Sequence, residues 1–263
     1  MTREQTLHLP AIISVWWRSV YVYRRTWVLN LLPNFFEPII YMWGMGLGLG
    51  TYVGTQMGGV PYLAYLAPGL IISNAMNGGV FETTYNLFIK INFNRTYEAM
   101  LATPVNAYEA MLGEMLWAVT RSVLYGGIFA MMVVALGYMT PMGCLRLMPV
   151  VFLVGWLFSA LGLLFTSYVK VIDIFAFFYT LFLMPMFLFS GIFFPTETLP
   201  PNLQAVAACT PLYHGVALAR AAVLPGDAPM PTGQVVSSCA YLLLLACGCT
   251  WLGVRRLGRA LAR

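Results

Sequence analysis

The sequence predicts an all-α integral membrane protein with six transmembrane helices, and three observations lead to this prediction. Of the 263 residues, 60% are hydrophobic and only 9% are charged, whereas soluble globular domains carry about 25% charged residues. A spanning helix needs about 20 mainly apolar residues, and the chain contains six apolar runs of that length. The basic residues are concentrated on one side of the resulting topology. The composition leaves no room for a separate soluble domain.

The first element is expected to lie at the membrane surface. Between Ala11 and Trp27, apolar and aromatic residues alternate with Arg18, Arg24 and Arg25. This mixture is typical of a helix in the headgroup plane and differs from a cleaved signal peptide, which has an uninterrupted apolar core. We therefore expect residues 1–27 to form a cytoplasmic interfacial helix, the alternative being a frayed tail.

Residues 28–254 are expected to form the membrane bundle of a single domain, 1–263, that ends in a basic cytoplasmic tail, 255–263. A seventh candidate, Leu203 to Leu224, is broken by Pro211, which favours a re-entrant or interfacial segment. The six predicted spans are Val28 to Gly50, Pro61 to Phe81, Leu112 to Tyr138, Leu145 to Tyr168, Val171 to Phe194 and Val235 to Val254.

The basic residues orient these spans. With six spans and both termini in the cytoplasm, eleven of the 14 basic residues lie inside, Arg146 and Arg220 lie outside, and Arg121 lies within a span. Seven spans would place the four C-terminal arginines outside, against the positive-inside rule. The net charge of +5 therefore reflects topology and contact with anionic membrane lipid, and we expect no nucleic-acid partner.

Motifs for enzymatic chemistry are absent from the sequence. Neither lysine, Lys90 or Lys170, follows a glycine as a Walker A loop requires, and neither histidine, His8 or His214, has zinc-ligand spacing. The five cysteines form no disulfide or metal pattern. We therefore expect no catalytic residue, no metal site and no cofactor bound by this chain, so that any ATP-driven work would come from another polypeptide.

Ionisable residues inside the predicted spans are candidates for a polar path, because such groups are costly in the membrane. Glu37 stands beside Pro38 in the first span. Glu114 and Arg121 are seven residues apart on one face of the third span, which is too far for a good direct pair. A structural role at a helix or subunit interface is the alternative for all three candidates.

Two long connections carry a recognisable pattern. The cytoplasmic one contains the run Asn94-Arg95-Thr96-Tyr97-Glu98-Ala99-Met100-Leu101-Ala102-Thr103-Pro104, followed by Leu112-Gly113-Glu114. The external one contains Phe189-Ser190-Gly191-Ile192-Phe193-Phe194-Pro195, then Leu199-Pro200 and Pro211-Leu212. With Glu37-Pro38-Ile39-Ile40-Tyr41 in the first span, this pattern resembles the permease subunits of type-2 ABC exporters, in particular the NodJ-type subgroup.

The resemblance implies a role for each connection. The cytoplasmic one would contain a coupling helix that docks on an ATPase, with Tyr97, Met100 and Leu101 as apolar anchors in a groove of that partner. The residues of this coupling segment are Arg95, Thr96, Tyr97, Glu98, Met100, Leu101, Thr103 and Pro104. The external connection would form a re-entrant helical gate, whose residues are Gly191, Phe193, Phe194, Pro195, Leu199, Pro200 and Pro211.

The resemblance also implies partners. The permease would be a homodimer in a bacterial inner membrane, docked to two P-loop ATPase subunits that bind ATP and Mg. Its substrate would be amphipathic: a lipid-linked saccharide, a lipooligosaccharide or a drug-like molecule. Two other classes remain as alternatives: an ATPase-independent secondary transporter or channel, and an intramembrane enzyme using Glu37, Glu114 or His214 as acid or base.

Overall fold

The computed structural model describes residues 7–48, 56, 57, 60–94, 96–224 and 230–261, and nearly all of them are helical. Two π-helical segments, Glu82–Asn86 and Phe178–Leu183, connect α2 to α3 and α7 to α8. The strands Gln56–Met57 and Val60–Pro61 pair antiparallel. The α-helices are α1 (Leu9–Gly48), α2 (Tyr62–Phe81), α3 (Leu87–Asn92), α4 (Thr96–Leu101), α5 (Ala107–Ala135), α6 (Pro141–Thr166), α7 (Ile174–Phe177), α8 (Met184–Phe189), α9 (Pro201–Ala208), α10 (Pro211–Val223) and α11 (Thr232–Leu261).

These helices confirm the prediction of an all-α membrane protein. Among the described residues, α5, α6 and α11 are long and apolar enough to cross a membrane. The pair α9 and α10, bent by 86°, would be a fourth if it is one broken span. The stretch Ile174–Phe189, which holds α7 and α8, is apolar but shorter. The count of six spans remains a prediction.

The first helix differs from the expectation. A single helix of 40 residues, α1, runs from Leu9 to Gly48 without a break at residue 27, where an interfacial helix was expected to end. At 1.5 Å per residue it is about 60 Å long, twice the thickness of the hydrocarbon core. Residues 255–261 likewise continue α11 and do not form a separate tail.

The N-terminal ends of α5 and α6 are fixed by local capping. The Asn106 side chain accepts a hydrogen bond from the Tyr108 amide at 3.2 Å, and the Asn106 amide donates to Glu109 at 2.8 Å. This reciprocal capping box satisfies amides that the first helical turn leaves free. Thr140 caps α6 through a single bond, because its hydroxyl accepts a hydrogen bond from the Gly143 amide at 3.0 Å.

The centre of the bundle is built from α2, α5 and α6, which approach closely through small residues. A Cβ placed on Gly155 of α6 would lie only 2.5 Å from the Ser122 Cβ on α5, so a larger residue there would separate the helices. At one end of α6, the Thr166 hydroxyl donates to the Thr83 carbonyl at 2.7 Å. This bond joins α6 to the first π-helical segment.

The helices α1 and α5 run in the same direction. A Cβ on Gly113 would meet Val15, the Tyr23 ring packs against the Trp117 ring at 5.3 Å, and the Tyr125 hydroxyl donates to the Asn30 carbonyl at 3.1 Å. Residues later in α1 thus contact residues later in α5. Both helices therefore begin at the same end of the bundle, where α4 also lies.

Candidate functional site

Five charged side chains from four helical elements form one connected group, which we term the ionic cluster: Arg18, Glu82, Lys90, Glu114 and Arg121. The Lys90 ammonium lies 2.6 Å from Glu82 Oε1 and 2.7 Å from Glu114 Oε2. Arg18 Nη2 lies 3.1 Å from Glu114 Oε1. Arg121 donates to Glu82 Oε2. Three cations and two carboxylates are therefore linked in sequence, with a net charge of +1.

Burial makes these pairings necessary. The residues Glu82, Glu114 and Arg121 are between 2% and 4% exposed. An isolated buried charge is strongly unfavourable, and removing one member of a buried pair exposes that cost. The cluster therefore stabilises the packing of α1, α3 and α5 only while all its members are present.

The first π-helical segment places Glu82 in the cluster. It begins at Glu82, immediately after α2, and its wider turn continues into α3 without leaving helical geometry. Within it, Asn86 Nδ2 donates to Glu82 Oε2 at 2.7 Å. Glu82, Asn86 and Lys90 thus follow one face of a continuous helical stretch. Single π turns inside α-helices occur often at functional sites.

Arg121 extends the cluster into the bundle. Its guanidinium donates to the Tyr125 hydroxyl at 2.8 and 3.0 Å and to Asn30 Oδ1 at 3.3 Å. Planar guanidinium groups can hold several acceptors in a fixed arrangement. Arg121 therefore ties α5 to α1 and to the first π-helical segment at once.

Arg121 also reaches a cavity of about 750 Å³, which we term the central cavity. It lies between α1, α2 and the second π-helical segment. Apolar residues dominate its walls, with the polar side chains of Asn30, Asn77, Tyr179 and Thr180 among them. Tyr41 and Phe187 line its other end. A mainly apolar cavity with a few polar groups is suited to an amphipathic ligand.

The wall of the central cavity is incomplete in the single chain. Leu29 is 76% exposed, Met184 is 49% exposed and Phe81 is 44% exposed, and all three line it. Tyr179 and Tyr85 form an aromatic contact at 5.7 Å, which brings the two π-helical segments together beside the cavity.

The helix α4 coincides with the expected coupling helix, but its apolar anchors point the other way. Tyr97 is 2% exposed and Met100 is 9% exposed, and both pack into this chain's own core with Leu87 and Met111. Tyr97 and Met100 thus face this chain's own core, as an amphipathic helix turns its apolar face to the nearest core, and their docking in a groove of a partner stays a prediction. Leu101 is half-buried.

The outward face of α4 and its following turn is polar or small. The exposed residues there are Glu98, Ala99, Ala102, Thr103 and Pro104, while Thr96 is half-buried and Arg95 lies outside the described residues.

The phenol of Tyr97 is buried near the ionic cluster, and its hydroxyl has no hydrogen-bond partner among the described residues. Burial, with a smaller contribution from the negative charge of Glu114, raises the pKa of the Tyr97 phenol well above its usual value. The hydroxyl therefore stays protonated near Glu114 at any physiological pH.

The external segment, residues 191–211, is held by backbone contacts at its start. Gly191 has φ of +81°, which is readily adopted only by glycine. Arg220 donates to the Gly191 carbonyl at 2.5 Å, and the Tyr62 hydroxyl donates to the Phe193 carbonyl at 3.2 Å. Phe193 is buried, and its ring meets the Phe187 ring edge-on at 5.1 Å. Phe193 therefore lies next to the end of the central cavity.

The other residues expected in this segment are more peripheral. Phe194, Pro195 and Leu199 are half-buried, and Pro200 is exposed just before α9. Pro211 is buried and begins α10.

The polar-path candidates have different outcomes. Glu114 and Arg121 make no direct pair, as their spacing predicts, and the cluster joins them through Lys90 and Glu82. Of Glu114 and Arg121, only Arg121 lines the central cavity. The backbone of Glu37 belongs to α1, but its side chain lies outside the described residues.

Three members of the cluster, Arg18, Glu82 and Lys90, were not among the sequence candidates. Arg18 fell in the expected interfacial helix, and Glu82 and Lys90 fell in the expected cytoplasmic connection. The spacing of Glu82 and Lys90 with Asn86, at i, i+4 and i+8, was the available signal.

Comparison with known proteins identifies the family. A family model described as ABC-2 type transporter matches residues 10–224. The chain belongs to the ABC-2 type transporter family. It is 36% identical over 232 residues to nodulation protein J of Rhizobium leguminosarum bv. trifolii, covering 88% of each chain. It is 35% identical to nodulation protein J of bv. viciae, covering 94% of this chain and 95% of the relative.

A more distant relative is named for transport. The chain is 25% identical over 231 residues to the inner membrane transport permease YadH of Escherichia coli, covering 86% of this chain and 88% of the relative. This ABC-2 family member is therefore a transmembrane permease of an ABC transporter in the inner membrane. It is a transport subunit.

Proposed function

We propose that this permease is the membrane half of an ATP-driven exporter that moves an amphipathic substrate. Two copies would pair as a homodimer, and two separate P-loop ABC ATPases would bind ATP and Mg and hydrolyse ATP on the cytoplasmic side, where both termini lie. Family membership supports the ATPase partner, and this chain's sequence lacks a phosphate-binding loop of its own.

The observation that carries this proposal is the continuity between α4, the ionic cluster and the central cavity. Tyr97 packs with Met111 and Met115 of α5, the helix that carries Glu114 and Arg121. Lys90 links Glu114 to Glu82, and Arg121 links Glu82 to the cavity wall. A displacement of α4 by a bound ATPase would therefore change the ionic contacts that hold the cavity wall. Coupling of this kind requires an element that can adopt two arrangements, and the balance between them must depend both on the bound ATPase and on the bound substrate.

We assign docking to the outward face of the α4 segment. Ala99, Ala102 and Pro104 are small and exposed, so a partner can approach the backbone there, and Glu98 supplies a charge at the rim. Tyr97 and Met100 would serve a different purpose, which is to transmit motion of α4 to the core they pack into.

The central cavity is the proposed substrate path. Its exposed wall residues Leu29 and Met184 would face a second copy, so that the dimer closes the cavity. Its apolar walls suit an acyl or aromatic part of the substrate, while Asn77 and Arg121 offer contacts for a polar or anionic part. The external segment, with Phe193 at the cavity end, would be the gate.

The proposal is tested by purifying the tagged chain from its native host in mild detergent and identifying bound proteins by mass. We expect a stoichiometric P-loop ATPase, whose retention falls when Ala99→Arg is introduced. Val171→Arg is the matched control, because Val171 is also exposed and lies in the turn between α6 and α7. A chain that carries no ATPase and still transports in liposomes would instead identify an ATPase-independent secondary transporter or channel.

A further inference from the structure

A second groove lies between α1 and α5, and Arg121 lines both this groove and the central cavity. The volume of this second groove is about 480 Å³. Apolar and aromatic side chains make up most of its walls, and Arg121 is also among the lining residues. The side chains on which the following argument rests are Trp16, Tyr23, Arg24 and Trp27 of α1 and Trp117 and Leu124 of α5.

The walls of this groove are held in place. Trp16 Nε1 donates to Thr120 Oγ1 at 3.0 Å, and the Tyr23 ring lies edge-on to Trp117 at 5.3 Å. Because two aromatic side chains of α1 are thus fixed on α5, the groove is preformed. Trp27, which is 52% exposed, and Leu124, which is 37% exposed, also line the groove, so the groove is open to the surroundings.

Arg24 distinguishes this groove from an ordinary apolar gap between helices. The aliphatic stem of its exposed side chain lines the groove, while its guanidinium lies outside the apolar walls. No carboxylate in the described part of the chain pairs with it. Its neighbours are engaged, since Arg25 donates to the Tyr21 hydroxyl at 2.5 Å and Arg18 pairs with Glu114. The groove thus combines an uncommitted cation with an apolar trough.

These two properties select one class of ligand. A sugar or nucleotide would leave its polar groups unpaired on the apolar walls, whereas a neutral hydrocarbon would not use Arg24. A lipid with an anionic headgroup satisfies both. Tryptophan side chains concentrate at the level of lipid headgroups, and the cytoplasmic leaflet is rich in anionic lipid.

We propose that this groove binds one anionic phospholipid of the surrounding membrane, with its phosphate at Arg24 and an acyl chain along Trp27 and Leu124. The bound lipid packs between α1 and α5, next to the contacts of Arg121 with Asn30 and Tyr125. Lipid occupancy therefore stabilises the position of α1 against α5.

The test uses the full chain in detergent, titrated with phosphatidylglycerol or phosphatidylcholine and analysed by native mass spectrometry. We expect the wild-type chain to retain phosphatidylglycerol preferentially. Arg24→Gln should weaken that retention roughly fivefold, as loss of one cation near an anionic surface predicts. Arg25→Gln, the adjacent and matched charge removal, should leave it nearly unchanged. Equal losses for both variants would mean nonspecific surface charge and would overturn the proposal.

A steric variant tests the acyl-chain part. Leu124→Trp fills the trough and should reduce retention of both lipids, while Leu116→Trp, at an exposed position of α5 outside the groove, should not. Retention by Leu124→Trp equal to wild type overturns the proposal. Loss of the dimer in Leu124→Trp with lipid retention unchanged also overturns it and makes the groove a subunit interface.

A measurement on the unmodified chain avoids any effect of substitution on folding. Phosphatidylglycerol with brominated acyl chains should quench the tryptophan fluorescence of the wild-type chain more than brominated phosphatidylcholine does, because Trp16, Trp27 and Trp117 line the groove. Equal quenching by the two lipids would contradict a site for anionic lipid.

Discussion

Lys90 and Glu114 are 24 residues apart in the sequence, and the Lys90 ammonium lies 2.7 Å from the Glu114 carboxylate. The helix α4 lies between them along the chain, so this ion pair closes the loop that contains α4. Any movement of α4 relative to α5 must therefore be accommodated within a loop whose two ends are held by a buried charge pair. Substitutions in the ionic cluster should therefore affect the stability of this loop, which can be measured.

Replacing Glu82 by Gln should destabilise the protein by about 3 kcal/mol or more, because Arg121 and Lys90 would lose a buried carboxylate partner. Thermal unfolding in detergent measures the change. Glu98→Gln is the control, since Glu98 is exposed. The double variant Glu82→Gln with Arg121→Gln should recover part of the loss, because the two residues are in contact. Strictly additive losses would contradict the coupling of these charges.

Tyr97→Ala should mainly lower the stability of the permease, whereas Ala99→Arg should mainly weaken its binding of the ATPase. Tyr97 is buried in the core, so its truncation should cost about 3 kcal/mol of stability. Ala99 is exposed, so Ala99→Arg should leave the unfolding temperature unchanged and reduce retention of the ATPase. Parallel measurement of both properties on both variants checks this separation. A stable Tyr97→Ala variant that loses the ATPase would return Tyr97 to the role of docking anchor.

Filling the central cavity should block transport without affecting assembly. Asn77 is half-buried and lines the cavity, so Asn77→Trp should reduce export of the substrate by tenfold or more if about 1.4 kcal/mol of binding is lost. Phe152→Trp, at an exposed position of α6, is the matched control. Transport assays in liposomes containing permease and ATPase provide the readout. Undiminished export by Asn77→Trp would exclude the cavity as the path.

Removing the aromatic ring of Phe193 should open the outer end of the cavity. Phe193→Ala deletes its contacts with Phe187 and Tyr41, so basal leak of a small solute through liposomes should increase. Phe177→Ala, which removes an exposed ring, is the control. Leak equal to wild type in the double variant Phe193→Ala with Phe194→Ala would show that the external segment is a scaffold and not a gate.

The sequence predicted the helical class and the positions of most apolar helices, because long apolar runs have few alternatives. It did not predict that α1 would pass through residue 27 unbroken. Local composition shows where a helix becomes less polar, but it does not show whether the backbone bends there. Pro33, within the first span, was also compatible with a continuous helix.

The orientation of α4 could not be obtained from its pattern either. The spacing of Tyr97, Met100 and Leu101 predicts an apolar face, but the same face can contact a partner or the chain's own core. For Glu82, the missing information was helical continuity: once α2 is known to continue into α3, Glu82, Asn86 and Lys90 fall on one face. The ion pairs of Glu114 and Arg121 depend on residues distant in sequence, which spacing alone does not reveal.

The continuous helical stretch Tyr62–Asn92, formed by α2, the first π-helical segment and α3, has a mechanical consequence. Its length of about 46 Å exceeds the hydrocarbon thickness. One end touches the Phe193 carbonyl through Tyr62, and the other carries Lys90 next to Glu114. A tilt of this stretch by about 10° around its middle would move each end by about 4 Å, enough to break the hydrogen bond between the Tyr62 hydroxyl and the Phe193 carbonyl.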